Sequence, residues 1–346
     1  LEKGTSKGYD ATLRNGFRLE GTLTHNDNGI ANEQISIRNV NLLDSYNVFT
    51  NDNGYFATVL PQGTYDLFTI HEKGNDTLAY LERIDSNTVA TPLAASMGMG
   101  YTVDGRLFED INGSKILDEG EKGFENIQII FDSESGGSVT TQSGLDGLYE
   151  FILPAGVYNA YALIGGEGQN LVTLQPVILN DKDENENLSS TYGQNAIISM
   201  YEEHLGNEIP LEGLVTLDGT TGKLTIWAES PGTENILPIN LYEVNAQKYG
   251  YNLETIYEVS TETNDTREEI DSFDLNTLKE LVVEMSRIPT NVDAKFMFED
   301  NGIPNASISF SPITDPAYFL NFTTDGNGNL VDVLLPPDNY LYFFTY

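Results

Sequence analysis

Asp146-Gly147-Leu-Tyr149-Glu-Phe151-Ile-Leu153-Pro154-Ala-Gly156-Val-Tyr158 is the stretch that decides how this chain is read. Asp-Gly supplies the positive φ of a tight turn, and Tyr149 and Phe151 alternate along the strand that follows. Proline cannot donate to a ladder and ends that strand, and Gly-x-Tyr opens the next. The same grammar stands upstream as Asn53-Gly54-Tyr-Phe-Ala-Thr-Val-Leu60-Pro61-Gln-Gly63-Thr-Tyr65. It returns downstream as Asn327-Gly328-Asn-Leu-Val-Asp-Val-Leu-Leu335-Pro336-Pro-Asp-Asn-Tyr340. The prolines lie 93 and then 182 residues apart, so one further repeat with an eroded signature is expected between Pro154 and Pro336.

A second echo precedes each hairpin. Asn26-Asp-Asn-Gly29-Ile leads to Ile35-Ser-Ile37, and Glu299-Asp-Asn-Gly302-Ile leads to Ile308-Ser-Phe310. In the second copy this turn is enlarged into Asp110-Ile-Asn112-Gly-Ser114-Lys-Ile116-Leu-Asp118-Glu-Gly-Glu121 before the chain resumes at Gly123 and Ile127. Oxygen donors at loop positions 1, 3, 5, 9 and 12 suit Ca²⁺, which takes six to eight hard oxygens. The expected ligands are Asp110, Asn112, Ser114, the Ile116 carbonyl, Asp118 and a bidentate Glu121. Position 6, usually glycine, is Lys115, and the segment before the loop reads as strand. Five carboxylates fall between Glu109 and Glu121. Like charges about 4 Å apart cost about 1 kcal/mol per pair in water and about 4 at an effective dielectric near 20; a divalent cation reverses that sign.

Short strands with frequent turns predict an all-β chain of tandem prealbumin-like or Ig-like β-sandwich domains. The units read as an N-terminal segment 1–16, sandwich one 17–98, sandwich two with the calcium loop 99–205, a divergent sandwich three 206–292, and sandwich four 293–346. Asp274–Met285 reads equally as helix or strand, and the acidic stretches 181–186 and 262–269 read as solvated loops. The fourth unit stops after the strand opened by Tyr340, and Lys7-Gly-Tyr9 resembles Met99-Gly100-Tyr101. Two arrangements follow: head-to-tail strand complementation between copies, with residues 1–16 as donor, or neighbouring repeats of a longer chain covering the open edge.

A balance of 17 Lys and Arg against 53 Asp and Glu gives a net charge of −36, which excludes nucleic acid as a natural partner and disfavours anionic membrane surfaces. No apolar run is long enough to insert in a membrane, and the absence of cysteine removes disulfides and thiol chemistry. His25, His71 and His204 stand far apart, and no catalytic motif is present, so no enzyme is expected. Glycans are the other candidate partners: 19 tyrosines and the single Trp227 offer stacking surfaces, while six N-x-S/T sequons stand near chance.

On these residues the second unit resembles the B-type repeats of serine-aspartate repeat adhesins from Gram-positive surfaces. The likeness lies in Asp110, Asn112, Asp118, Glu121 and Gly123 followed by the Tyr149–Tyr158 hairpin. Units one and four resemble the broader carboxypeptidase-regulatory-like, prealbumin-like domains. The resemblance implies an extracellular or cell-surface spacer stiffened by Ca²⁺. Lys-Asn isopeptide crosslinks of related domains are not implied, since Arg106 stands on the first strand of unit two and no lysine does. The acidity also suits an archaeal filament or layer. The alternatives are an adhesin or carbohydrate-binding module, or accessory domains of a larger secreted hydrolase.

Overall fold

The computed structural model describes residues 16–41, 44–74, 76–166, 169–204, 207–248, 251–260, 267–276, 279–287, 290–298, 301–312, 320–335 and 340–345. These are strands and turns, with a single short 3-10 turn at Leu145–Gly147. Residues 1–15 of the expected donor segment lie outside them.

The first unit comprises β1 (Gly16–His25), β2 (Asn28–Gly29), β3 (Gln34–Asn39), β4 (Ser45–Phe49), β5 (Tyr55–Pro61), β6 (Thr64–Lys73), β7 (Asp76–Asp85) and β8 (Leu93–Ser96). One sheet is built on β1, with β5 antiparallel and β8 parallel to it; the other runs β4-β3-β6-β7. Strict alternation does the work. Ile35 and Ile37 point inward between exposed Gln34 and Ser36, and they meet Leu19, Leu23, Phe56, Leu60 and Leu67 in a closed core.

The second unit repeats this plan with β9 (Gly98–Phe108), β10 (Gln128–Ser133), β11 (Ser138–Gln142), β12 (Leu148–Pro154), β13 (Gly156–Gly166), β14 (Gln169–Leu179), β15 (Glu184–Asn185) and β16 (Leu188–Ser189). Here β12 is antiparallel, and β15 and β16 parallel, to β9, opposite a sheet ordered β11-β10-β13-β14. The acidic stretch at 181–186 is therefore partly structured, and Asp183 accepts the Thr102 N–H at 2.8 Å.

The third unit holds β17 (Thr191–His204), β18 (Asn207–Gly219), β19 (Gly222–Glu229), β20 (Thr233–Pro238), β21 (Asn240–Gln247), β22 (Tyr251–Ser260), β23 (Arg267–Glu269), β24 (Phe273–Leu275) and β25 (Lys279–Arg287). Although the sequence reading carries unit two to residue 205, β17 has the pairings of a first strand: antiparallel to β20 and parallel to β25. Its Ala196, Ile198 and Met200 lie in the third core. In the stretch that reads as helix or strand, the described residues from Lys279 on are strand, because Leu281 and Val283 enter that core while Val282 is buried on the other face. The fourth unit has β26 (Thr290–Lys295), β27 (Met297–Phe298), β28 (Asn301–Gly302), β29 (Ser307–Pro312), β30 (Leu320–Thr323), β31 (Asn329–Leu335) and β32 (Tyr340–Thr345). They form a β26-β31 pair facing a sheet ordered β30-β29-β32 around Ile308, Phe310, Leu330, Val333 and Leu335.

Three devices recur at matching places. Tyr65, Tyr158 and Tyr242 each donate a hydroxyl hydrogen bond to the carbonyl of the proline four residues earlier, at 2.7, 2.8 and 2.7 Å. The eroded repeat is thus Leu237-Pro238-Ile-Asn240-Leu-Tyr242, with asparagine where the others have glycine. Thr50, Ser143 and Thr324 bury a hydroxyl that donates to the carbonyls of Ile30, Phe124 and Ile303 and accepts the N–H of Glu33, Ile127 and Ala306. A glycine pair, of which Gly123 and Gly147 are one example, lets two backbones touch: a Cβ on Gly123 would lie 1.8 Å from the Asp146 carbonyl oxygen, and Gly147 has φ +76°. Among the described residues unit three shows no such pair; there β17 pairs with the next strand, β18, with Met200 opposite Leu211.

Neighbouring units also share sheets and seams. Leu78 and Ala79 of β7 pair with Met99 and Gly98 of β9, and Leu171 and Val172 of β14 pair with Tyr192 and Thr191 of β17. Phe68 stacks on Phe151 with ring centroids 5.6 Å apart, so a side chain of unit one packs on the core of unit two. At the common seam Arg83 is bidentate to Asp66 at 2.7 and 3.1 Å and lies 3.6 Å from Asp132. Ser138 donates to Asp66 at 2.8 Å, and Asp132 accepts the Thr225 N–H at 3.2 Å. The Asp66 and Asp132 side chains are only 1% and 7% exposed. Burial pushes the Asp132 carboxyl up to about 6, against the opposing pull of Arg83 and Thr225.

Candidate metal centre

The loop from Asp110 to Glu121 leaves the end of β9 and is pinched at its base. Glu109 N–H donates to the Lys122 carbonyl and Phe124 N–H to the Leu107 carbonyl, both at 2.9 Å, and Phe108 bridges Gly123. A loop closed this tightly must turn back on itself within a few residues, and it does so with Gly113, Lys115 and Gly120 at φ of +73°, +60° and +96°. Lys115 therefore adopts the left-handed conformation that makes glycine the usual choice at position 6, at a cost for a non-glycine residue of about 1 kcal/mol.

Of the six expected ligands, Asn112, Ser114, the Ile116 carbonyl and Asp118 bond to one another, while Asp110 and Glu121 are engaged by backbone N–H groups of the loop. Asp110 accepts the N–H groups of Ser114 and Lys115 at 3.0 and 2.9 Å. Asn112 accepts the Ser114 N–H through Oδ1 at 2.9 Å and donates through Nδ2 to Asp118 at 2.8 Å. The Ser114 hydroxyl lies 3.0 Å from the Ile116 carbonyl and 3.1 Å from Asp118. Glu121 ties the two ends, one oxygen accepting the Ile111 N–H at 3.1 Å and the other the Asp118 N–H at 2.9 Å. Among the described residues no three His, Cys, Asp or Glu side chains gather as a group that could hold a metal ion. What the loop does bring into contact is one carboxylate (Asp118), one amide (Asn112), one hydroxyl (Ser114) and one carbonyl (Ile116). Such a hard, all-oxygen set fits Ca²⁺ in kind and not a thiophilic metal. Ile111 and Ile116 are 70% and 67% exposed, so the loop has no apolar core of its own to hold it together.

The loop also flanks the seam between units two and three. Asp110, Ile111 and Lys115 wall a cavity of about 670 Å³ whose other side is formed by Leu174, Tyr192 and Thr221. Of the histidines, the His71 ring lies 2.6 Å from Glu33 and the His25 ring 3.0 Å from the Met97 carbonyl. Neither is near the loop in sequence or in its bonding. The seam around Arg83 left no sequence signal, since its members lie 17 to 93 residues apart.

The strands form an all-β chain of several separate sheets with repeated sandwich topology. No protein-family model and no curated protein matches it. Among solved structures it is similar to the Bacillus anthracis TIE protein, at 12% identity over 97% of this chain and 70% of that one, with a TM-score of 0.29. It is also similar to a streptococcal ancillary pilin (11% identity, 77% and 99% covered, TM-score 0.21). A third likeness is to GBS52, the minor pilin of Streptococcus agalactiae (12%, 57% and 100% covered, TM-score 0.22). Likenesses this distant carry no argument about what the chain does, which must come from its own residues.

Proposed function

We propose that this chain is a structural, non-enzymatic subunit or segment of an extracellular filament, surface layer or stalk, in which repeated sandwiches hold distance. The observation that carries the reading is the way one plan is repeated with its copies fixed to each other. Units one to three share backbone ladders and the buried Arg83 seam, whereas independent binding domains are ordinarily joined by few contacts. The charge of −36 keeps such an object dispersed and makes cations its natural counterparts.

Asp110, Asn112, Ser114, Ile116, Asp118 and Glu121 would hold Ca²⁺, which supplies a positive charge and a reason for an exposed acidic loop to keep one shape. Because this loop borders the junction of units two and three, holding it also stiffens that junction. In the fourth unit β32 is the outermost strand of its sheet among the described residues, and Leu341, Tyr342 and Phe343 on it are more than half exposed. A strand supplied from outside that unit covers this edge, either residues 1–16 of another copy or a following repeat.

Electron microscopy of the purified chain in millimolar calcium tests the reading. Continuous threads that are lost on deleting residues 1–16 support exchange between copies, and discrete rigid particles of uniform outline support a spacer within a longer array. Particles whose units sit at variable angles, with or without calcium, would sink the proposal.

A further inference from the structure

The first and third units enclose a cleft of about 730 Å³, and we propose that it binds a neutral oligosaccharide. One wall comes from the turn between β5 and β6 and the end of β7; the other comes from β18, β19, the end of β21 and the start of β22. Clefts at domain junctions with a few convergent polar groups are where ligands ordinarily bind.

The chemistry of the lining selects the ligand class. Its charged groups are already engaged within the protein. Arg83 is committed to Asp66, Asp85 accepts from Thr64 at 3.0 Å and from Asn87 at 2.8 Å, Glu212 accepts from Asn41 at 3.2 Å, and Lys248 donates to the Glu212 carbonyl at 2.8 Å. The two cations of the lining, Arg83 and Lys248, are thus engaged, so an anionic ligand meets no waiting counter-charge, and the net charge of −36 repels polyanions at long range. What the walls offer are exposed carboxamides, Gln62, Asn245, Gln247 and Asn252, beside the rings of Trp227 and Tyr251. A carboxamide both donates and accepts, as a sugar hydroxyl does. The C–H face of a pyranose packs on an aromatic ring.

A second observation points the same way. The Trp227 Nε1–H is shielded from solvent and has no acceptor among the described residues. Buried indole N–H groups ordinarily find a partner, and leaving one without costs about 1–3 kcal/mol. Trp227 lines the cleft, and a ligand hydroxyl that displaces the groups shielding the indole N–H supplies that acceptor.

Trp227 is the sole tryptophan, so its emission reports on this cleft alone. The full chain is titrated with neutral hexose and N-acetylhexosamine oligomers, and in parallel with uronic acid oligomers and with salt alone. The expected result is a saturable change in emission with one or more neutral oligomers. The affinity should fall about tenfold or more in Asn245→Ala/Gln247→Ala, whose exposed side chains leave the melting temperature unchanged. Trp227→Phe, followed by calorimetry in place of fluorescence, should weaken binding while keeping the ring. No saturable response to any neutral oligomer at millimolar concentration, a response to uronic acids alone, or binding unaltered in both variants overturns the proposal. These titrations do not depend on whether the chain polymerises.

Discussion

Replacing Arg83 by methionine keeps the length of the side chain and removes its charge from the seam where three units meet. Asp66 and Asp132 are then left as two buried carboxylates, 1% and 7% exposed, with no cation between them. Breaking a buried pair by deleting one partner costs about 3–5 kcal/mol. The lower end applies here, because Asp66 retains the Ser138 hydroxyl and Asp132 retains the Thr225 N–H. For a unit of about 100 residues each kcal/mol moves the midpoint by about 4–8 °C, so a drop of about 12 °C or more is expected at pH 7.5. Near pH 4.5 the Asp132 carboxyl, which burial raises to about 6, is protonated and needs no counter-charge, so the drop should shrink. Scanning calorimetry is the assay, since a chain of several units does not unfold in two states and its transitions must be resolved separately. The variant should also split a joint transition of units one and two into two. Adding Asp66→Asn to Arg83→Met should restore part of the loss. A shift below about 3 °C, or one of equal size at both pH values, refutes the claim that this ion pair locks the seam.

Three further outcomes follow from the same structure. At free calcium a hundredfold above its dissociation constant, binding to the folded state alone adds about 2.7 kcal/mol; chelator should remove this, Glu121→Gln should mimic removal, and a melting curve indifferent to both would end the calcium reading. The Asp132 carboxyl stands at about 6 in the fold against an ordinary 3.8, so its contribution is fully present below about pH 3.8 and is lost as pH rises through 6. At 1.36 kcal/mol per pH unit that is about 3 kcal/mol over the whole window and about 2 kcal/mol above pH 4.5; Asp132→Asn should gain on the native chain by about the latter between pH 4.5 and 7.5, and parallel pH profiles of denaturant midpoints would count against it. Tyr242→Phe leaves the Pro238 carbonyl without its 2.7 Å donor in a closed core, and urea unfolding of the third unit should shift by about 1–2 kcal/mol.

Much of this architecture is legible from local pattern. Turn glycines, Leu-Pro stops and alternating strands are fixed by residues a few positions apart, which is why three hairpins and the loop from Asp110 to Glu121 can be read directly. The third unit is harder because its signature survives only as Pro238 and Tyr242, with Asn240 where units one and two have glycine and no turn glycine and alternating strand of the same spacing before it. Its first strand, Thr191–His204, follows β16 so closely that no turn signal separates it from unit two. The stretch Asp274–Met285 is undecided locally because Val282 and Val283 are buried on opposite faces, and it is the partners on either side, parallel β17 and antiparallel β22, that make Lys279–Arg287 a strand. The Arg83 seam and the cleft beside Trp227 are invisible at this level. Both are made by side chains that only tertiary packing brings together, and neither has a characteristic spacing.

The first and last strands of a unit lie side by side and point the same way. Gly21–Thr24 run with Leu93–Ser96, and Ala196–Tyr201 run with Lys279–Glu284. The polypeptide therefore enters a unit at one pole and leaves from the other. A pull along the chain drags these two strands past each other lengthwise, and every bond of the ladder between them is loaded together. Antiparallel termini would open one bond at a time like a zip. Mechanical strength is thus set by how many rungs that ladder has, and the third unit, with six residue pairs against four in the first, is the one built to yield later.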